Sequence, residues 1–241
     1  MRSARGVEEG KAPAMGLHAR RVREMFSRIS ARYDLLNSVL SFGLHRRWRR
    51  AAVAECRLAC GGRALDVCAG TGDLALEFAR ASRLVVAGDF SAPMLAFAGR
   101  KSGGRPILLV AADALRLPFC DGSFDVAGVA FSLRNVESIS ALLGEMRRVV
   151  RAGGVVMALE FSRPRNPVFR ALYFFYLRHL VPRIGGLVSP GAYRYLAASI
   201  QAFPEAEEVA ELFRQAGLEG VRWRHLSGGI VAVHLGVRPG G

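Results

Sequence analysis

Apolar positions along the chain fall into two alternating patterns. Arg63–Cys68, Arg83–Ala87, Pro106–Ala111, Phe124–Phe131 and Val155–Phe161 are short runs, apolar nearly throughout. Such runs suit strands buried on both faces, as in a parallel sheet. Between them lie stretches with helical spacing. Leu74–Arg80 is the first, and a second opens at Ser91 with Pro93 in its first turn. Ser138–Val150 and Glu205–Ala216 follow, the latter ended by Gly217. Strand–helix alternation predicts an α/β sheet with helices on its faces. Gly153-Gly154 reads as the turn into the fifth strand, and Leu218–Leu226 and Ile230–Val237 as a closing antiparallel hairpin joined at Ser227-Gly228-Gly229.

The two ends of this frame differ from it. Residues 1–16 have no period and are expected to lack order. Residues 17–60 read as a helical cap: one helix from Leu17 to about Arg32, and another from His45 to about Ala59, stopped by Gly61-Gly62. The sheet domain then spans 61–241, with a helical insertion at about 164–203. Within that insertion Phe169–Val181 is an aromatic helix stopped by Pro182, Gly185–Ala192 a loop, and Tyr193–Gln201 a short helix.

The first strand ends in Asp66-Val67-Cys68-Ala69-Gly70-Thr71-Gly72. Strand, glycine turn and helix together form an adenosine-cofactor site: glycine lets backbone approach the ligand, and a helix start offers unpaired N–H groups. Gly70-x-Gly72-x-x-Ala75 fits a dinucleotide fingerprint, and Asp89 follows Gly72 by 17 positions, near the spacing of a ribose-binding acid. Two cofactors therefore compete, a dinucleotide and S-adenosylmethionine. The other strand ends weigh between them. In an open α/β sheet the ligand sits beyond the carboxyl ends of the strands. Those ends here carry Asp66, Asp89, Asp113-Ala114 and Arg134-Asn135. Asp89 can take both ribose hydroxyls. Asp113 can take the exocyclic amine of adenine while the Ala114 N–H meets a ring nitrogen. Three acids suit a cationic sulfonium better than a pyrophosphate, which favours S-adenosylmethionine.

Composition narrows the setting. At 241 residues and 51 % hydrophobic, the chain can bury one large core. Cys56, Cys60, Cys68 and Cys120 are too scattered for a disulfide framework or a metal site, and read as reduced thiols of a cytoplasmic protein. There is no metal spacing among the histidines, no apolar run of about 18 residues and no secretory leader pattern. Net charge is +14, and only Lys11 and Lys101 of the 34 basic residues are lysines. Residues 1–60 hold 13 basic residues against five acids, a net of +8. That block suits an anionic surface, phospholipid or nucleic acid, or simply a solvated basic face.

Several stretches resemble the ubiquinone/menaquinone biosynthesis C-methyltransferase family, within the class I S-adenosylmethionine-dependent methyltransferases. They are Tyr33-Asp34-x-x-Asn37, Ser41-Phe42-Gly43-x-His45-Arg46-x-Trp48, the glycine turn itself, Phe131-x-Leu133-Arg134-Asn135-Val136, Leu159-Glu160-Phe161-Ser162-x-Pro164, Pro182-Arg183-Ile184-Gly185, Tyr193-x-Tyr195-Leu196 and Gly228-Gly229-Ile230-Val231-Ala232-x-His234. The likeness runs from about Phe26 to Val237. It implies a Rossmann-like class I methyltransferase fold with a mostly parallel seven-stranded sheet. It also implies methyl transfer to a ring carbon of a prenylated quinol. The reading is demethylmenaquinol to menaquinol, with the equivalent ubiquinone step as the alternative.

By position, the family's cofactor contacts fall on Thr71, Asp89, Asp113 and Ala114; the turn adds Asp66, Gly70 and Gly72. Ring methylation needs a phenolate-like nucleophile, and ionising a phenol of pKa about 10 at neutral pH costs roughly 4 kcal/mol. A nearby cation lowers that cost. Arg134 is the candidate for charge stabilisation, Asn135 for orienting the ring or a water, and Tyr33 for closing the site from the cap. His45 and His234 read as hydrogen-bonded structural histidines. An isoprenoid substrate gives the basic cap and the aromatic helix a shared reading, transient contact with the inner face of the plasma membrane; a homodimer stays open. No Asn/Asp-Pro-Pro-aromatic or Pro-Cys stretch follows the fourth strand, which argues against a nucleic-acid substrate. A dinucleotide oxidoreductase and a non-catalytic basic scaffold remain as rivals.

Overall fold

The computed structural model describes residues 38–57, 62–186 and 190–240, with only the backbone given for 184–186 and 190–194. Residues 1–16, the helix expected from Leu17 to about Arg32, Tyr33 and Cys60 lie outside the described residues. The elements in chain order are α1 (Leu44–Glu55), β1 (Arg63–Val67), α2 (Asp73–Phe78), β2 (Leu84–Asp89), α3 (Ala92–Ser102), β3 (Ile107–Ala111), β4 (Phe124–Ala130) and α4 (Ile139–Val149). They continue with β5 (Val150–Phe161), α5 (Pro167–Phe175), α6 (Val181–Gly186), α7 (Pro190–Ala202), α8 (Ala206–Gln215), β6 (Glu219–Leu226) and β7 (Val231–Val237).

The strands form one seven-stranded sheet in the order β3-β2-β1-β4-β5-β7-β6. All neighbours are parallel except across β7, which pairs antiparallel with both β5 and β6. This is the expected class I methyltransferase sheet. Its order reverses between β1 and β4, opening a crevice at their carboxyl ends. Each face is covered. Leu65, Val67, Ala127 and Val129 pack with Leu142, Met146 and Phe213 of α4 and α8. Ala64, Val85, Val126 and Met157 pack with Trp48, Ala52, Leu74 and Phe78 of α1 and α2. Adjacent strand residues thus enter opposite cores, which is why these strands read as unbroken apolar runs.

Three local expectations are corrected. Gly153-Gly154 is no turn: α4 ends at Val149 and β5 begins at once. β4 residues Phe124 and Val126 pair with Val150 and Val155, so residues 151–154 bulge from β5 and the glycines absorb the bend. Pro182 does not stop the aromatic helix. Five residues, Tyr176–Leu180, widen into a π turn between α5 and α6. A π turn is a recognised way for a helix to absorb an irregularity, and here it lies just ahead of a residue with no N–H to donate. The expected loop at Gly185–Ala192 is helical at both ends, through α6 and α7.

The insertion helices gather around Tyr173, Leu177, Val181, Ala197 and Ile200, with Leu40 and Ile230 alongside. The β6–β7 turn is fitted to them. A Cβ on Gly228, at φ +67°, would lie 2.8 Å from the Phe169 ring. His234 is buried as a structural histidine, its Nε2 donating to the Ala206 carbonyl at 2.9 Å. Burial pushes its pKa down to about 4, so it is neutral at physiological pH.

Candidate active site

Cys68, Gly70 and Gly72 all have positive φ, which folds the chain sharply from β1 into α2. The two glycines do different work. A Cβ on Gly72 would meet Ala98 Cβ at 3.0 Å, so close packing against α3 requires glycine. A Cβ on Gly70 would meet nothing within 4 Å, so Gly70 presents bare backbone to open space. Asp89, at the end of β2, holds this turn from the side. One carboxylate oxygen accepts the Gly70 N–H and the other the Ser91 N–H, both at 2.8 Å. Burial pushes its pKa up while those two bonds pull it back. Each oxygen keeps a lone pair for a ligand hydroxyl.

Asp66 is used differently. It is buried and accepts the Ala75 N–H at 2.8 Å, tying α2 to β1. Burial raises its pKa to about 8. Asp113 ends in a turn rather than capping a helix: it accepts the Leu115 N–H at 2.9 Å and bridges to Arg116, with Ala114 buried behind it. Thr71 is buried within the glycine turn. Because β3, β2, β1 and β4 are neighbours, Asp113, Asp89, Gly70–Gly72 and Arg134-Asn135 line consecutive strand ends. This order can hold adenine, ribose and the amino-acid arm of S-adenosylmethionine in sequence along the crevice.

Sequence reasoning missed how α1 closes the turn. Asp73, the first residue of α2, pairs with Lys101 of α3 and lies 3.5 Å from both His45 and Arg49 of α1. Burial raises the Asp73 carboxyl pKa, but His45, Arg49 and Lys101 together hold it below the ordinary carboxylate range. Arg49 donates to His45 Nδ1 at 2.8 Å, and His45 meets Ser38 at 3.1 Å. Nothing in the sequence beyond the basic run Arg46–Arg50 signalled this, since Asp73 lies 24 residues from Arg49 and 28 from Lys101.

At the end of β4, Phe131 sits at φ +60° and Leu133–Asn135 form a single 3₁₀ turn. Arg134 Nη1 donates to Glu160 at 2.5 Å and to the Phe131 carbonyl at 2.8 Å. The pair is enclosed, with side chains 5 % and 1 % exposed. Glu160 was a legible signal left unused: one acid inside the apolar run Val155–Phe161. Asn135 accepts the Tyr195 hydroxyl at 3.0 Å, which joins the β4 loop to the insertion. Among the described residues, three buried polar atoms here have no hydrogen-bond partner: Arg134 Nε, the Tyr173 hydroxyl and Ser162 Oγ. Burial drives the Tyr173 pKa up, the Arg134 charge opposing the rise and Glu160 adding to it. Among the described residues no His, Cys, Asp and Glu cluster could hold a metal.

Comparison with known proteins agrees with this geometry. Residues 14–238 match the model of the ubiE/COQ5 methyltransferase family. The chain is 45 % identical over 228 residues to the demethylmenaquinone methyltransferase of Mycobacterium marinum, covering 94 % of this chain and 97 % of that one. It is 47 % identical to the enzyme of the same name from Parafrankia, covering 91 % and 94 %. It is 48 % identical to the ubiquinone/menaquinone biosynthesis C-methyltransferase of Syntrophotalea carbinolica, covering 90 % and 93 %. Among solved structures, an S-adenosylmethionine-dependent methyltransferase from Thermotoga maritima superposes with a TM-score of 0.64 at 21 % identity, covering 89 % and 98 %. The [4+2]-cyclase SpnF superposes at 0.68 with 18 % identity, covering 92 % and 97 %. The second of these is not named for methyl transfer, so the superpositions establish the fold and not the reaction. Extended identity across nearly the whole chain carries more: this protein belongs to the ubiE/COQ5 methyltransferase family.

Proposed function

We propose that this protein transfers a methyl group from S-adenosylmethionine to a ring carbon of a prenylated quinol, converting demethylmenaquinol to menaquinol. The observation that carries the reading is the group of unpartnered polar atoms beneath the insertion, at the carboxyl end of β4. A buried donor with no partner costs about 1–3 kcal/mol, and a ligand oxygen relieves it. S-adenosylmethionine supplies an electrophilic methyl on a sulfonium. The chain supplies position and charge. Arg134 spends Nη1 on Glu160 and keeps Nε for the substrate oxygen, so the developing phenolate meets a cation in a water-poor site. Asn135, fixed by Tyr195, orients the ring. Asp89, Asp113 and Ala114 with the glycine turn hold the adenosine, and rate follows from in-line placement of ring carbon and methyl.

The assay is incubation with S-adenosylmethionine and either demethylmenaquinol or the corresponding ubiquinone precursor, with the added methyl read by mass spectrometry. Methylation of the naphthoquinol is expected. Turnover of the benzoquinol alone moves the assignment to the ubiquinone branch, the function in the name of one relative, and turnover of neither overturns it.

The substrate's isoprenoid tail also gives a reason for the outer face of the insertion. Val168, Leu172 and Phe175 project from α5 at helical spacing, and Phe42, 81 % exposed, packs its ring 6.3 Å from Tyr176 beside them. Segments 38–54 and 161–204 carry ten arginines and no Asp or Glu. An apolar ridge set among arginines, two of them paired with Glu205 and Glu207, fits an anionic lipid surface. Among the described residues no helix is long and apolar enough to cross a membrane. Co-sedimentation with phosphatidylglycerol vesicles, but not phosphatidylcholine vesicles, is expected. It should fall at least about fivefold in Leu172→Ser/Phe175→Ser, and equal sedimentation of that variant removes the assignment.

A further inference from the structure

Arg49 is the most enclosed cation of the α1 surface that faces the glycine turn. Its residue is 7 % exposed. Its Nη1 is occupied by His45 Nδ1 at 2.8 Å and the His45 carbonyl at 3.3 Å, and lies 3.5 Å from Asp73. Its guanidinium carbon stands 5.0 Å over the Phe131 ring at the end of β4. Its Nε is buried with no partner among the described residues. A clamp between α1 and α2 accounts for Nη1 but leaves Nε unexplained.

Asp73 is the counter-ion of Arg49 among the described residues, 3.5 Å away and shared with Lys101. The other carboxylate that Arg49 acts on is Asp66, which burial pushes toward its neutral form. Neither carboxylate takes the Nε hydrogen, and an enclosed donor left unpaired is costly. Ligand geometry indicates which acceptor can reach it. With ribose on Asp89 at β2 and adenine beside Asp113-Ala114 at β3, the amino-acid arm runs the other way, past β1 toward β4. Arg49 and Phe131 stand there.

We infer that Arg49 binds the α-carboxylate of the amino-acid arm of S-adenosylmethionine, giving the site a preference for the intact amino acid over forms of the cofactor that lack the carboxylate. This rests on the cofactor reading above and adds a residue outside the strand-end set. Arg49, with His45, also links α1 to the turn, so a cofactor carboxylate on its free edge fastens α1 over the bound arm.

The test compares two ligands that differ only in that carboxylate, S-adenosylmethionine and decarboxylated S-adenosylmethionine, by titration calorimetry. Wild type should prefer the first. Arg49→Gln should bind S-adenosylmethionine about 30-fold more weakly, the range of a charge-assisted hydrogen bond. It should hold the decarboxylated ligand within about threefold, so that the preference collapses. Equal losses for both ligands, or no loss for either, overturn the inference in favour of a purely structural clamp. Arg49→Lys covers the case in which the glutamine variant does not fold. It keeps the charge, loses Nε, and should show a smaller loss confined to S-adenosylmethionine; a loss shared by both ligands again overturns the inference. Wild-type protein that bound neither ligand would instead sink the cofactor reading beneath it.

Discussion

Glu160→Leu should destabilise the protein by about 3–5 kcal/mol, because it leaves the Arg134 guanidinium enclosed without its counter-ion. Arg134 Nη1 meets Glu160 at 2.5 Å with both side chains almost wholly buried. Glu160 also accepts the Phe161 N–H at 2.9 Å, so its loss frees a second donor. Arg134→Met should cost a similar amount by stranding Glu160. The informative protein is the double variant, Arg134→Met/Glu160→Leu. A buried ion pair replaced by apolar residues of similar volume is often neutral or better. Urea denaturation should therefore recover most of the lost stability in the double variant. Methyl transfer should not recover: without the cation the phenolate loses its partner, and activity should stay down on the order of 10³-fold. Recovered activity along with recovered stability would make Arg134 a strut and remove it from the chemistry. A double variant as unstable as the two single losses added together would show that the two side chains contribute independently and not as a coupled pair.

The parts of the site that were legible in the sequence share a physical origin. Asp89, Asp113 and Arg134-Asn135 follow apolar runs, and in a parallel sheet every such end arrives at the same edge. Spacing along the chain then stands in for proximity. The glycine turn was legible for the same reason, since strand and helix meet only through a reversal that Gly70 and Gly72 permit. Residues whose partners come from distant elements were not legible. Asp66 reads as one more acid at a strand end, yet its carboxylate is engaged by Ala75, a backbone donor that exists as such only once α2 has formed. Arg49 reads as one arginine in a basic helix, and its meaning depends on Asp73 and Phe131 arriving from the start of α2 and the end of β4. The π turn at Tyr176–Leu180 had no signature at all, because hydrophobic spacing across it continues through three helical segments.

Asp89→Ala should weaken S-adenosylmethionine binding by about 100-fold or more, the equivalent of two charge-assisted hydrogen bonds to the ribose. The carboxylate already spans two backbone donors, Gly70 and Ser91, each at 2.8 Å. Truncation therefore removes the ligand contact and also releases the turn that presents bare backbone at Gly70. Asp89→Asn separates the two effects. The amide keeps the shape and one acceptor oxygen, but its NH₂ group must face either Gly70 N–H or Ser91 N–H, donor against donor. Turn geometry should suffer modestly, while paired acceptance of two hydroxyls is lost. Calorimetry with S-adenosylmethionine and its 2′- and 3′-deoxyribose analogues reads this directly. In wild type each missing hydroxyl should cost affinity; in Asp89→Asn one of the two deletions should become nearly silent, because its partner atom is no longer an acceptor. If Asp89→Ala binds the cofactor within a factor of about two of wild type, well short of even one hydrogen bond to a charged group, the ribose is held elsewhere. The placement of adenine, ribose and arm along β3, β2, β1 and β4 then has to be redrawn.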